Sequence, residues 1–154
     1  MKTINATLCY IKQNNQTLML HRVKKQNDIH KDKWNGLGGK FESGESPEEC
    51  LLREVKEESG LTLTTYKLAG LLTFPKFDGS NDWQVFLYQA TEFTGQITEC
   101  GEGKLEWIPD DKLLELNLWD GDKYFIKWMS ENRFFSAKFT YLNKELIDYS
   151  VKFY

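Results

Sequence analysis

A chain of 154 residues has the length of one domain and can bury about two thirds of its unfolded surface around one core. Its 20 basic and 23 acidic residues leave a net charge of -3, a balance that forces neither nucleic acid nor a membrane surface on it as a partner. Cys9, Cys50 and Cys100 are odd in number and widely spaced, against a disulfide framework or a close-spaced zinc site; with no apolar run of signal length at Met1-Lys2-Thr3-Ile4-Asn5 and none near the ~18 residues of a membrane helix, a soluble cytoplasmic protein is expected.

Thr3 to Ile11 alternate loosely between β-formers and polar residues, and Gln13-Asn14-Asn15-Gln16 turns the chain into Thr17 to Leu20, which predicts a β-hairpin. Val23 to Lys33 is polar and leads to Trp34-Asn35-Gly36-Leu37-Gly38-Gly39-Lys40, where the crowded glycines predict a loop. Ser46, followed by Pro47 and by Glu49, has the form of an N-cap with a capping box, and Gly60 is a stop signal, so a helix is predicted between them. Leu61 to Phe74 and Trp83 to Tyr88 read as strands, and Leu105 to Ile108 as a short strand before Pro109. Asp110 to Leu116 and Asp122 to Trp128 read as short helices, with Phe134 to Tyr141 and Leu146 to Tyr154 as closing strands joined by Asn143-Lys144. With no internal repeat, low-complexity tract or linker, residues 1–154 are expected to form one α/β domain with mixed strands; nothing in them sets an oligomeric state.

On the Ser46 helix, a 100° step per residue places Leu51, Leu52 and Val55 on one stripe and Glu54, Glu57 and Glu58 on another. Like charges at these spacings cost roughly 0.2–0.5 kcal/mol per pair. Glu57 and Glu58 also meet the negative end of the helix dipole, at a further ~0.3–1 kcal/mol each. Two readings are open. Most charge runs are solvated faces, and Arg53 and Lys56 would soften the repulsion; solubility alone, however, would favour Lys or Arg in the last turn. A divalent cation removes both penalties, and clustered carboxylates without nearby His or Cys suit Mg²⁺ or Mn²⁺ better than zinc.

The stretch from Gly39 to Leu61, GKFESGESPEECLLREVKEESGL, resembles the Nudix box: Gly, five residues, Glu, seven residues, then Arg-Glu-apolar-any-Glu-Glu-any-Gly-apolar. Gly39, Glu45, Arg53, Glu54, Val55, Glu57, Glu58, Gly60 and Leu61 occupy every fixed position. Trp34 to Lys40, Trp119-Asp120-Gly121-Asp122 and Phe134 to Tyr149 are similar to segments of the family's MutT group, whose members include hydrolases of oxidised purine nucleoside triphosphates. The resemblance implies the Nudix α/β/α sandwich with a mixed β-sheet. It also implies Mg²⁺- or Mn²⁺-dependent cleavage of a nucleoside triphosphate such as 8-oxo-dGTP to a monophosphate and pyrophosphate, which cleanses the nucleotide pool before DNA synthesis. Alternatives are a family hydrolase of another nucleoside diphosphate derivative or of an ordinary nucleotide, and a module that senses a nucleotide without cleaving it. Such a module has no need of an unbroken set of box carboxylates.

Carried residue by residue, the resemblance implies Glu54, Glu57 and Glu58 as metal carboxylates, joined by the Gly38 carbonyl. Arg53 would orient them by ion pairing, and Glu45 would fix the junction of loop and helix. Glu102, between Gly101 and Gly103, falls where related enzymes bring a further acid to the metal; the plainer alternative is an exposed loop glutamate. Lys40 and the cluster Arg22, Lys24 and Lys25 offer cations to the phosphates, although surface lysines are ordinarily just solvated. Asn35 and Asp122 match two groups with which the oxidised-purine hydrolases hold the base, and Trp119 is expected as a stacking wall. The remaining acid of that set falls by alignment on Gly121, with Asp120 one residue earlier. His21 and His30 have no partner at metal or catalytic spacing and receive no role, and the other tryptophans read as core.

Overall fold

The computed structural model describes residues 2–24, 26–98 and 101–154; Lys25 of the basic cluster and Cys100 lie outside the described residues. Strand β1 (Thr3–Gln13) turns into β2 (Gln16–His21) through Asn14 and Asn15, both at positive φ as a primed two-residue turn requires. The hairpin then opens into a fork, because β1 and β2 pair only from Ile11 opposite Leu18 to Gln13 opposite Gln16. The glycine-rich segment enters that fork. Its first residues form β3 (Trp34–Asn35) on β2, and Leu37 and Lys40 then bridge to Cys9 and Ala6 of β1. The sequence predicts only a loop here, since a two-residue strand has no periodicity to read.

Helix α1 (Pro47–Ser59) has both bonds of its capping box, Glu49 N–H to Ser46 Oγ and Ser46 N–H to Glu49 Oε1, and ends at Gly60 in the left-handed region. Strands β4 (Thr62–Phe74) and β5 (Asp82–Thr94) follow. β5 runs on past the predicted end at Tyr88, because its polar residues Gln89 and Glu92 are held in the ladder by β4. Next come β6 (Lys104–Pro109), a 3₁₀ turn at Asp110–Glu115 in place of the predicted helix, and α2 (Asp122–Ser130). A hairpin of β7 (Phe135–Leu142) and β8 (Glu145–Phe153) closes the chain.

All these strands belong to one sheet, ordered β3-β2-β1-β5-β4-β7-β8 with β6 also on β2. It is mixed, β1–β5 and β4–β7 being parallel. Strand alternation sorts the core by face. Cys9, Ile11, Leu18, Tyr88 and Ala90 pack with Leu51 and Val55 of α1, while Ala6, Tyr10, Met19, Val85 and Leu87 pack with Phe125, Ile126 and Met129 of α2. Helices therefore cover opposite faces, the α/β/α arrangement expected. Each fully buried Leu or Val on these faces stabilises the fold by roughly 1.5–3 kcal/mol. No helix among the described residues is long and apolar enough to cross a membrane.

Candidate active site

The fork in the first hairpin carries the glycine segment against the C-terminal half of α1. A Cβ on Gly38 would lie 2.0 Å from the Thr7 carbonyl oxygen, a backbone atom that cannot give, and one on Gly39 would lie 2.4 Å from the Glu54 carboxyl carbon and push that acid aside. The backbone thus touches the acids directly, and Gly38 N–H donates to Glu58 Oε1 at 2.7 Å. Glu58 is only 5% exposed, on the inner edge of the helix with Leu51 and Val55; at 100° per residue it falls about 20° from Leu51, so the expected acidic stripe holds Glu54 and Glu57 while Glu58 belongs to the buried one. The Gly38 N–H makes that burial tolerable. Burial, with Glu102 and Glu54 nearby, still raises its pKa well above the carboxylate range, and burial raises Glu54 too against the pull of Arg53.

Arg53 divides its donors among the acids. Nε and Nη2 grip Glu45 at 2.6 and 2.9 Å, and Nη1 reaches Glu54 at 2.7 Å and the exposed Glu57 at 3.3 Å. Nη2 also donates to the Lys40 carbonyl at 3.0 Å, so a single guanidinium ties the glycine segment to the helix. This grip lowers the Glu45 pKa to about 2. On the far side, Gly103 lies so near β2 that a Cβ would meet the His21 carbonyl oxygen at 2.0 Å. Glu102 beside it hydrogen-bonds Glu58 and stands 3.8 Å from Arg22. Arg22 is itself paired with Asp28 at 2.9 Å, so its charge is shared between two acids and is not presented alone to a phosphate. Lys24 N–H donates to the Glu102 carbonyl at 3.4 Å, and Lys40 Nζ sits 5.5 Å over the Trp83 ring.

Glu54, Glu58 and Glu102 therefore converge beside the Gly38–Gly39 backbone, with Glu57 at the exposed margin. Among the described residues no three His, Cys, Asp or Glu side chains form a closed ligand set, Arg53 and Gly38 N–H holding two of the acids as they stand. The donor chemistry nevertheless fits a hard cation. All the groups are oxygens, and buried carboxylates crowded by like charges are those whose ionised form a cation would favour.

From these acids a cleft of about 620 Å³ runs to a polar and aromatic end at Asn35, Trp119 and Asp122. Asn35 Nδ2 is buried without a hydrogen-bond partner among the described residues, a state that costs roughly 1–3 kcal/mol until an acceptor arrives. Trp119 Nε1 donates to His30 Nδ1 at 2.8 Å, and its ring meets Phe77 and Tyr141 edge-on at 4.9 and 5.5 Å. Asp120 stands apart: it does not line the cleft, and its Oδ2 accepts from Leu146 N–H at 3.2 Å. Sequence reasoning missed His30, Phe77 and Tyr141, which come from two loops and a closing strand with no pattern that marks them for one site. Burial lowers the His30 pKa to about 4, so it is neutral, with its proton on Nε2 because Nδ1 is the acceptor.

Asp122 is buried, and burial pushes its pKa from 3.8 up to about 8 against the pull of Lys33. The folded chain holds a proton there that the unfolded chain releases above about pH 4, so the stability it contributes is full below that pH and is lost as pH rises through about 8. Asp122→Asn removes this dependence. Its thermal midpoint is expected to fall less than the wild type's between about pH 5 and about pH 9. Parallel declines of the two proteins in differential scanning fluorimetry would remove Asp122 as the source.

The NUDIX domain model matches residues 1–129, and the chain belongs to that family. An uncharacterised Nudix hydrolase of Bacillus subtilis (strain 168), YvcI, is 31% identical over 149 residues, covering 93% of this chain and 90% of the relative. The oxidized purine nucleoside triphosphate hydrolase of Mus musculus is 31% identical over 122 residues, 78% of each chain. Among solved structures, the mutator MutT protein from Bacillus halodurans superposes with a TM-score of 0.85 at 33% identity, over 96% of this chain and 97% of that one. The protein is thus a MutT-like Nudix hydrolase that acts on nucleotide substrates, in a family that generally needs a divalent metal, usually Mg²⁺.

Proposed function

We propose that this hydrolase cleaves nucleoside triphosphates to a monophosphate and pyrophosphate, with an oxidised purine nucleotide such as 8-oxo-dGTP as substrate. The observation that carries the proposal is the continuity of the cleft. Acids crowd one end, and a buried amide with no partner among the described residues, a protonated acid and an indole wait at the other. The mouse relative, named for oxidised purine nucleoside triphosphates, supports the same substrate class.

Glu54, Glu57, Glu58 and Glu102, with the Gly38 carbonyl, would hold Mg²⁺ or Mn²⁺. The bound ion supplies charge neutralisation for the polyphosphate and makes water more acidic. The chain's own part is positional. Arg53 and Glu45 keep the acids and the glycine segment in register, and Lys40 at the rim meets a phosphate. Asn35 Nδ2 and the protonated Asp122 carboxyl donate to acceptors on the base, while Trp119 walls its face. In this role residues 1–154 act as one domain, in the cytoplasm, on the free nucleotide pool. The test is pyrophosphate release from a panel of normal and oxidised nucleoside triphosphates, with and without Mg²⁺. Mg²⁺-dependent release greatest on an oxidised purine is expected; no release from any member would defeat the proposal.

A further inference from the structure

We propose that Tyr141 reads the base, donating its phenolic O–H from β7 to an oxo acceptor on the purine edge, at the point where Gly121 leaves no acid. The inference rests on the site being a nucleotide site. Gly121 lies between Trp119 and Asp122, and a Cβ there would meet Tyr141 Oη and Phe139 Cδ1 at 2.8 Å each. The phenol oxygen occupies the space that a side chain at position 121 would need.

Four further observations bear on what that oxygen can do. Gly121 N–H donates to Tyr141 Oη at 2.7 Å, which uses an acceptor site, and no acceptor among the described residues takes the hydroxyl's own proton. The β7–β8 register slips between Thr140 and Tyr141, an irregularity of the kind that re-aims side chains beside functional sites. The ring is then locked edge-on to Phe77 and Trp119, at 5.4 and 5.5 Å, where it lines the cleft with Asn35 and Asp122. Burial, with Asp122 close by, holds the phenol above its ordinary pKa, so it keeps its proton. Asn35, Asp122 and Tyr141 together present donors, and a base edge carrying oxo groups complements them where an amino edge does not.

The test measures binding of 8-oxo-dGMP, dGMP, dAMP and dCMP by calorimetry to the wild type, Tyr141→Phe and Gly121→Ala. Tyr141→Phe keeps the ring and removes only the hydroxyl. It is expected to weaken both oxopurine monophosphates about tenfold while dAMP and dCMP change less than about twofold. Gly121→Ala, at a backbone φ of -69° that alanine accepts, displaces the phenol and is expected to repeat the pattern. A loss as large on dAMP or dCMP, no loss at all, or a wild type that binds all four alike would overturn the inference. None of these readings needs turnover, so absence of pyrophosphate release would count against the proposed hydrolysis and leave this result intact.

Discussion

Glu58→Gln is expected to lower kcat at saturating Mg²⁺ by at least about 10²-fold without lowering the thermal midpoint. Glutamine keeps an oxygen that can accept from Gly38 N–H, so the bond at the inner edge of α1 survives. What disappears is a buried carboxyl whose ionisation burial, Glu102 and Glu54 all disfavour, so the fold loses nothing by its amide while the cation loses an anionic ligand. Glu57→Gln separates the two readings of the acidic helix. Its carboxylate is exposed and, among the described residues, pairs with Arg53 alone, so as a solvated residue it would be neutral to replace, whereas as a ligand it too would cost turnover. Near-normal kcat in both variants at saturating Mg²⁺ would remove these acids from the metal site.

Gly38→Ala is expected to destabilise the fold strongly. The new Cβ would stand 2.0 Å from the Thr7 carbonyl oxygen and 3.0 Å from Leu8 Cα, both backbone atoms of β1 that cannot swing aside. The glycine segment would have to leave the fork, breaking the Leu37–Cys9 pair, the Thr7 N–H bond to Gly39 and the Gly38 bond to Glu58. At a net ~0.5–1.5 kcal/mol for each of these four bonds the loss is about 2–6 kcal/mol, and activity goes with it because the site is dismantled. Gly44→Ala is the control. Its φ of 81° carries the left-handed penalty of roughly 1–2 kcal/mol, but nothing lies within 4 Å of the new Cβ. Urea unfolding compares them, and equal destabilisation would mean that the close approach to β1 does not matter.

The parts legible in the sequence are those whose signals are local. Ser46, Pro47, Glu49 and Gly60 each act on their own helix end, so α1 was bounded to the residue, and the Nudix box carried the acids with it. The paired Asn14 and Asn15 marked a turn for the same reason. The parts not legible depend on distant chain. Glu58, seven residues after Leu51, shares its face, but the backbone donor that makes a buried carboxyl tolerable there lies in another segment, at Gly38, where nothing local to the helix marks it. β3 exists only because the hairpin opens at Ile11 and Leu18 and leaves β2 an unpaired edge. His30 and Tyr141 reach the cleft from a loop without periodicity and from a bulged strand, and Asp120, two residues from Asp122, turns instead toward Leu146.

The most direct test of the proposed reaction is the pyrophosphate-release assay run in ¹⁸O-water with Mg²⁺, with the products separated and weighed by mass spectrometry. Attack of water at the α- or β-phosphorus, with cleavage of the bridge between them, predicts nucleoside monophosphate and pyrophosphate as the only products, with the label in whichever of them holds the attacked phosphorus. Label in inorganic phosphate, accompanied by nucleoside diphosphate, would contradict it.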